Sequence, residues 1–354
     1  MVRQTEAQRP ISRALTGTLR TRTGTPTILL GVALCGATLG GGWQSWGSES
    51  PAPQSAGTQS SPRRSAVTNE TQAAAVRGVD WLVAQKDAMP LSFALKNYEK
   101  FHRAAADEDI RRQMAGLIRE KCRALPTQAP SIDLSDPTMR NWYALRPAVM
   151  DLIYLKSLGK PWKAEADKIA QLFAEHGEAI LPSRATLSER LVAAYKLQIL
   201  GVPTGEIYTN TLAEIRAQQP ASGLSGGMPD MRHLYARTHI IFTASGYYSR
   251  YLDPAEFAPE IACFAKALEE FAGWTKMEDI WADLASEILI ARKILRQAPD
   301  AHSEALRRRL LSMQNADGSW GSGPFSTAKV HHTAMAVLAL MEFAPEFRVG
   351  IDYL

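Results

Sequence analysis

The sequence predicts an all-α protein, an (α/α)6 toroid of about six helical hairpins preceded by a targeting segment and a flexible linker. From Thr68 onward, apolar residues recur at spacings of three and four, which is typical of amphipathic helices. Strict alternation and Val/Ile-rich runs, the signals of strands, are scarce. Breaks at Pro, Gly or Asp/Ser clusters divide this region into about twelve segments, enough for six antiparallel hairpins.

The predicted helices are joined by short links. Pro147 predicts a kink or break in the fourth helix, because proline removes a backbone donor and clashes with the preceding turn. The twelve helices are expected at approximately 70–86, 91–104, 107–123, 138–157, 162–176, 184–200, 205–218, 229–250, 254–272, 277–297, 302–314 and 327–343.

The most informative motif occupies residues 310–321, with the sequence LLSMQNADGSWG. Gln314 closes an apolar run, where its amide can reach unpaired backbone groups at a helix end. Asp317 and Gly318 are turn residues, because Gly tolerates positive φ and Asp can bond its own backbone. Trp320 is large enough to pack over the turn. An ordinary helix–turn–helix with a tryptophan lid is the alternative interpretation.

A partial second copy occupies residues 77–85, with the sequence RGVDWLVAQ but no following Gly-x-Trp. The two copies resemble the Gln-Trp repeat of the squalene/hopene cyclase and protein prenyltransferase superfamily, of which this chain would be a divergent member. The resemblance implies a barrel of helical hairpins in which the glutamine ends an outer helix. The second helix of each hairpin is then inner, so 229–250, 277–297 and 327–343 are expected to line the lumen.

The helix predicted at 277–297 carries three acids, Asp279, Asp283 and Glu287, at a spacing of four that places them on one face. A row of like charges costs stability unless water, a metal or basic partners offset it. Two interpretations stand: an acid cluster in the lumen, or a face paired with arginines.

Histidines on two other inner helices complete a candidate site. His239 enters a long apolar run, whereas His233 and Arg237 share another face of the same helix. On the last helix, His331 and His332 follow a glycine loop. The resemblance to prenyltransferase β subunits implies that His332 is the zinc-ligand histidine.

We therefore expect His239, Asp283, Glu287 and His332 to bind zinc or a similar divalent ion, since their side chains are of suitable type. Asp283, Glu287 and His332 are the candidate catalytic residues. The Asp and Cys ligands that the resemblance would imply are incomplete, because no cysteine lies two residues after a candidate aspartate. A metal-free buried polar network between inner helices is the alternative.

The expected function is that of an enzyme or degenerate enzyme acting on an unidentified apolar, lipid-like small molecule. Neither the Asp-x-Asp-Asp acid of triterpene cyclases nor an Asp-Asp-x-x-Asp magnesium motif is present, which argues against triterpene cyclisation. A non-catalytic binding or scaffold module is the first alternative. The ligand-binding candidates are Trp142, His233, Arg237 and Tyr247.

A glycan-processing barrel is the second alternative. Such enzymes pair two carboxylates across a groove and stack sugars on aromatic rings. The candidate residues for these roles are Asp151, Asp283, Trp142, Tyr98 and Tyr247.

Residues 1–43 are expected to be a signal peptide or signal anchor. A basic start precedes an apolar core at 27–39, which is shorter than the roughly 20 residues of a membrane-spanning helix. No small-x-small cleavage site is evident, so an uncleaved anchor stays an alternative, as does a disordered cytosolic tail. We therefore predict an extracytoplasmic protein, periplasmic or secreted, or one attached to the membrane by this segment.

Residues 44–67, rich in Ser, Pro, Gln and Gly, predict a flexible linker, and 68–354 the folded domain. The formal net charge is +4, but residues 1–66 hold seven Arg against two Glu, so the folded part is near neutral. Without a basic stripe, nucleic acid is not an expected partner. Cys122 and Cys263 are interpreted as small buried hydrophobes, with a single disulfide as the alternative.

Overall fold

The structure is a computed structural model that describes residues 62–183, 186–218, 228–274 and 276–348. Their regular secondary structure is helical, with one isolated β-bridge between Ala105 and Phe343 and no strand. The twelve α-helices are α1 (Pro62–Ala84), α2 (Leu91–Ala104), α3 (Glu108–Ala124), α4 (Trp142–Ser157), α5 (Lys163–His176), α6 (Leu187–Ile199), α7 (Ile207–Ala217), α8 (Met228–Ala244), α9 (Ala258–Gly273), α10 (Asp279–Ile294), α11 (Ala301–Ser312) and α12 (Thr327–Leu340).

The all-α prediction is confirmed for this part of the chain, and the twelve helices match the predicted segments to within a few residues at most ends. The largest difference at a start is in α1, which begins at Pro62, inside the stretch predicted as linker. The predicted targeting segment at 1–43 lies outside the described residues. Within the described ranges, no helix is both long and apolar enough to span a membrane. Cys122 and Cys263 are free thiols.

The fourth predicted helix divides at Asn141 and not at Pro147. A short 3-10 helix, Pro137–Arg140, precedes Asn141, whose side chain accepts a hydrogen bond from Tyr143 N and caps α4. Pro147 lies inside α4 without splitting it. The carbonyl four residues earlier, deprived of its donor, belongs to the exposed Tyr143 and can bond to water. Because water can bond to that carbonyl, Pro147 is accommodated inside α4.

The even-numbered helices pack against one another in chain order. Contacts run from α2 to α4, then to α6, α8, α10 and α12, and α12 also contacts α2. Among the odd-numbered helices, α11 packs against α9, and α1 packs against both α11 and α12. Helices α10 and α12 thus have neighbours on several sides, which accounts for their long buried stretches.

The two partial sequence repeats meet in space. Gln314 Nε2 donates to the carbonyls of Ala74 and Gly318, both at 2.9 Å. Its Oε1 accepts from Arg77 Nε at 3.2 Å. The glutamine that ends α11 therefore binds the backbone and side chain of α1, and the two ends of the described chain are joined.

Trp320 closes the same junction with two hydrogen bonds. Its indole Nε1 donates to Leu310 O at 2.7 Å, and its backbone N donates to Thr333 Oγ1 at 3.0 Å. The side chain is almost fully buried and lies against Gly78 of α1. A Cβ at Gly78 would lie 2.9 Å from Trp320 Cζ3 and 2.4 Å from Val337 Cγ2. The absence of a side chain at 78 is thus what allows α1 to approach α12.

Replacing Gly78 by alanine is expected to lower the free energy of unfolding by about 1–3 kcal/mol, because the added methyl overpacks the junction. The measurement is chemical denaturation of the full-length variant. Gly116→Ala is the matched control, since a Cβ there meets nothing within 4 Å in the interior of α3. That control is expected to be neutral or slightly stabilising. Equal stability of the two variants would contradict the close approach at Gly78.

Candidate functional site

Three side chains from two neighbouring helices converge, two of them buried and the third partly exposed. Asp283 and Glu287 lie one turn apart on α10, and His331 lies on α12. One ligand atom from each is within 4.8 Å of the others. Asp283 and Glu287 are 4% and 2% exposed. We call these three residues the acid–histidine cluster.

Asp283 has a different partner at each carboxylate oxygen. Tyr235 on α8 donates its hydroxyl proton to Oδ2 at 2.6 Å. His331 Nε2 lies 3.4 Å from Oδ1, within ion-pair range. That oxygen nevertheless accepts no hydrogen bond from the described residues, although it is buried. Buried carboxylate oxygens normally have such a donor, so the lack of one at Oδ1 requires an explanation.

Glu287 shares a short contact with Thr238, whose Oγ1 lies 2.6 Å from Oε2. The same hydroxyl is 2.9 Å from the carbonyl of Tyr235, yet it has only one proton to donate. If Glu287 is protonated, it can donate to Thr238 while the threonine donates to the carbonyl. The geometry therefore suits a neutral Glu287.

His239 approaches Glu287 but is held by the backbone. Its Nδ1 lies 3.8 Å from Glu287 Oε2 and 2.8 Å from the carbonyl of Tyr235. Donation from Nδ1 to this carbonyl leaves Nε2 as the nitrogen with a lone pair. Burial lowers the pKa of His239 to about 4, so the ring is neutral at pH 7.

The two carboxyls of the cluster titrate differently. Burial, followed by the charge of Asp283, raises the pKa of Glu287 to about 8. Burial also opposes ionisation of Asp283, but His331 and the Tyr235 hydroxyl hold its pKa below the usual value. Because two like charges one turn apart are unfavourable in the interior, the pair holds one proton near neutral pH.

The described residues form no salt bridge from an arginine or lysine to Asp283 or Glu287. Asp279, the third acid on that face, lies apart from the pair. Its Oδ2 accepts from Ser322 N and Oγ, both at 2.6 Å. The interpretation as an arginine-paired face does not describe these contacts.

The structure brings His331, and not the sequence candidate His332, to the carboxylates. Successive residues on a helix point about 100° apart, so the two rings diverge. His332 lines a small space beside Trp320, and a Cβ built on Gly321 would lie 3.0 Å from its Nδ1. Within the described part of the chain, the metal-ligand grouping consists of Asp283, Glu287 and His331 without His239 or His332.

Two of the ligand-binding candidates belong to a separate ion-pair network. Arg237 donates from Nε to His233 Nε2 at 2.8 Å, and its Nη1 lies 3.6 Å from Glu260. Glu260 is fully buried and also pairs with Arg216 at 3.0 Å. These residues connect α8 to α7 and α9, so their role is structural.

The remaining candidates are divided between core and cavity. Trp142 packs in a hydrophobic core formed mainly by α4, α5 and α6, and Tyr98 is fully buried. Asp151 lies on α4, outside the acid–histidine cluster. Tyr247, just after α8, lines an interior cavity.

This cavity, with a volume of about 230 Å³, lies between α2, α4, α6 and the end of α8. Lys96, Lys100 and Lys196 line it, and we call it the lysine cavity. Sequence reasoning missed these lysines. The available signal was the spacing of four between Lys96 and Lys100, which places both lysines on one face of α2. Both lysines act electrostatically on Glu287, which links the cavity to the cluster.

No family model, curated protein or solved structure matches this chain.

Replacing Glu287 by glutamine is expected to remove a pH-dependent loss of stability between about pH 6.5 and 8. In that window the unfolded carboxyl is ionised, whereas the folded one, with a pKa of about 8, keeps its proton. The folded state binds more protons, so this group lowers the unfolding free energy as pH rises.

Denaturation of both proteins in a chelator across this window tests the expectation. From about pH 6.5 to 8, the unfolding free energy of the glutamine variant should rise by about 1.5 kcal/mol relative to that of the unsubstituted protein. Parallel pH profiles would show that Glu287 is ionised throughout.

Proposed function

We propose that this protein is an (α/α)6 toroid enzyme whose interior acid–histidine cluster binds a divalent cation and acts on a small molecule held in the lysine cavity. One observation carries the proposal. Two buried carboxylates and an imidazole lie within reach of a single ion, and Asp283 Oδ1 has no hydrogen-bond donor. A buried pair of like-charged groups requires a proton or a cation to be stable.

Helix packing supports the toroid. Contacts along the even-numbered helices, together with the contact of α12 with α2, are those expected of an inner ring. The junction of Gln314 and Trp320 with α1 supports the resemblance to the squalene/hopene cyclase and prenyltransferase superfamily. The lysine cavity between α2, α4, α6 and α8 would then be part of the lumen.

The donor set suits zinc or a similar divalent ion. Two carboxylates and one imidazole are oxygen and nitrogen ligands, and three protein ligands leave a position for water or substrate. When bound, such an ion polarises a substrate oxygen or lowers the pKa of a water molecule. Tyr235 and Thr238, which form hydrogen bonds with the two carboxyl groups, would orient them toward the ion. Glu287 must lose its proton to bind metal, so affinity should rise with pH up to about 8.

A non-catalytic binding module is the second candidate, favoured by a different observation. If Glu287 is protonated, it can donate to Thr238 while Thr238 donates to the carbonyl of Tyr235, so these contacts are satisfied without any metal. The cluster would then be a structural network between α8, α10 and α12.

Elemental analysis of the full-length chain, purified without added metal or a histidine tag, distinguishes these candidates. We expect near-stoichiometric zinc or another divalent ion, lost in His331→Ala because that ring approaches Asp283. His332→Ala is the matched control, since it removes the adjacent imidazole outside the cluster. It should retain the metal.

Thermal melting monitors the fold of both variants. A metal-free protein whose melting temperature responds neither to chelator nor to added zinc would exclude the metal site. The binding-module proposal would then take its place.

A further inference from the structure

The lysine cavity concentrates positive charge in the interior. Lys96 and Lys100 lie on one face of α2, and Lys196 on α6 presents a third ammonium group to the same space. Lys100 and Lys196 are each only 6% exposed. Three ammonium groups around one small cavity repel one another. Formation of α2 and α6 does not require lysine at these positions.

The described residues provide these ammonium groups with neither an ion pair nor a hydrogen bond. The carboxylate on the cavity wall, Glu99, already pairs with Arg103 at 2.8 Å. Glu287, which acts on Lys96 and Lys100 from a greater distance, is the carboxyl that tends to keep its proton. Three unpaired positive groups that line one cavity create a local field that attracts a counter-ion.

Burial disfavours the charged form of all three lysines. It lowers the pKa of Lys96 to about 8, and it lowers the pKa values of Lys100 and Lys196 well below the usual value. The positive groups Arg146, Lys96 and Lys100 add to the effect at Lys196. An anion among these amines would reverse it.

We propose that the lysine cavity binds the anionic group of a small molecule, a phosphoryl group or a dicarboxylate with at least two negative charges. Lysine ammonium groups bind such oxyanions as point charges from several directions. The volume of about 230 Å³ accommodates a small metabolite and not a polymer. Tyr195 and Tyr247, whose ring centroids are 5.7 Å apart, supply an aromatic wall for the rest of the molecule.

The wall residue Tyr247 has an unusual backbone. Its φ is +51° and that of Tyr248 is +69°, a conformation that non-glycine residues rarely adopt. Such strain often accompanies binding sites, where it fixes a side chain in place. Here it turns the chain after α8 so that Tyr247 lines the cavity.

This inference names the ligand class of the proposed enzyme and rests on that proposal for its chemical consequence. Binding itself requires only the lysine cavity. The two ideas can therefore fail separately, provided that anion binding is measured in a chelator.

Isothermal titration calorimetry on the full-length protein, at constant ionic strength and with EDTA, provides the test. The probes are pyrophosphate, inorganic phosphate, succinate and acetate. We expect at least one of the first three to bind more tightly than acetate. Preference for pyrophosphate or phosphate identifies a phosphoryl ligand, and preference for succinate identifies a dicarboxylate.

Lys196→Met should weaken binding of the preferred anion by about tenfold or more, because a charge-assisted contact is lost. The same change should raise the melting temperature of the anion-free protein, since it removes an unpaired buried charge. A lysine with a purely structural role would instead destabilise the protein when replaced. Lys266→Met, which removes an exposed lysine on α9, should alter neither quantity.

Lys96→Met provides a second variant with the same expected loss of affinity. Failure of all four probes to bind, or unchanged affinity in Lys196→Met and Lys96→Met, would overturn the proposal. Anion binding by a protein that proves metal-free would retain the cavity as a binding site while rejecting the metal-dependent enzyme.

Discussion

The junction between α1 and the turn at 314–321 is the contact on which the rest of the structure depends. Gln314 donates a hydrogen bond to the Ala74 carbonyl of α1, and Trp320, bonded to Leu310 O of α11, packs against Gly78 of α1. Gly78 allows the helices to approach closely enough for this. Since α12 is held between α1 and α10, His331 is presented to Asp283 at a fixed distance.

The fold brings together two groups of like charge. The carboxyls of Asp283 and Glu287 repel each other, and so do the ammonium groups of Lys96 and Lys100. A change of protonation reduces the electrostatic repulsion in each group. Glu287 holds a proton, and Lys96 loses one more easily than an exposed lysine does. A folded chain gains nothing in stability from such an arrangement, which is why a cation at one cluster and an anion at the other are the proposed occupants.

The proximity of the two clusters also bears on their chemistry. Lys96 and Lys100 lower the pKa of Glu287, opposing the larger effect of burial. An anion in the lysine cavity would neutralise part of that positive charge and so raise the pKa of Glu287. A cation at the carboxylates would lower that pKa. Occupancy of the two proposed sites would therefore be coupled through the charge of Glu287.

Helix positions were predictable from the sequence because they follow from local spacing of apolar residues and from breaks at Pro, Gly and Asp. The acid pair at 283 and 287 was predictable for the same reason, since a spacing of four fixes one face. Other outcomes required the tertiary structure. These include the choice of His331 over His332, the pairing of Arg237 with Glu260, and the meeting of Lys196 with Lys96.

Adjacent histidines differ by about 100° in direction, and only the packing of α12 against α10 decides which one reaches Asp283. Arg237 and Glu260 likewise meet because α8 contacts α9, and the lysines because α2 and α6 border one cavity. The sequence by itself determined the helices and the face of the acid pair, since those depend on neighbouring residues. Contacts between distant helices depend on how buried faces fit together, and that was settled only in the folded chain.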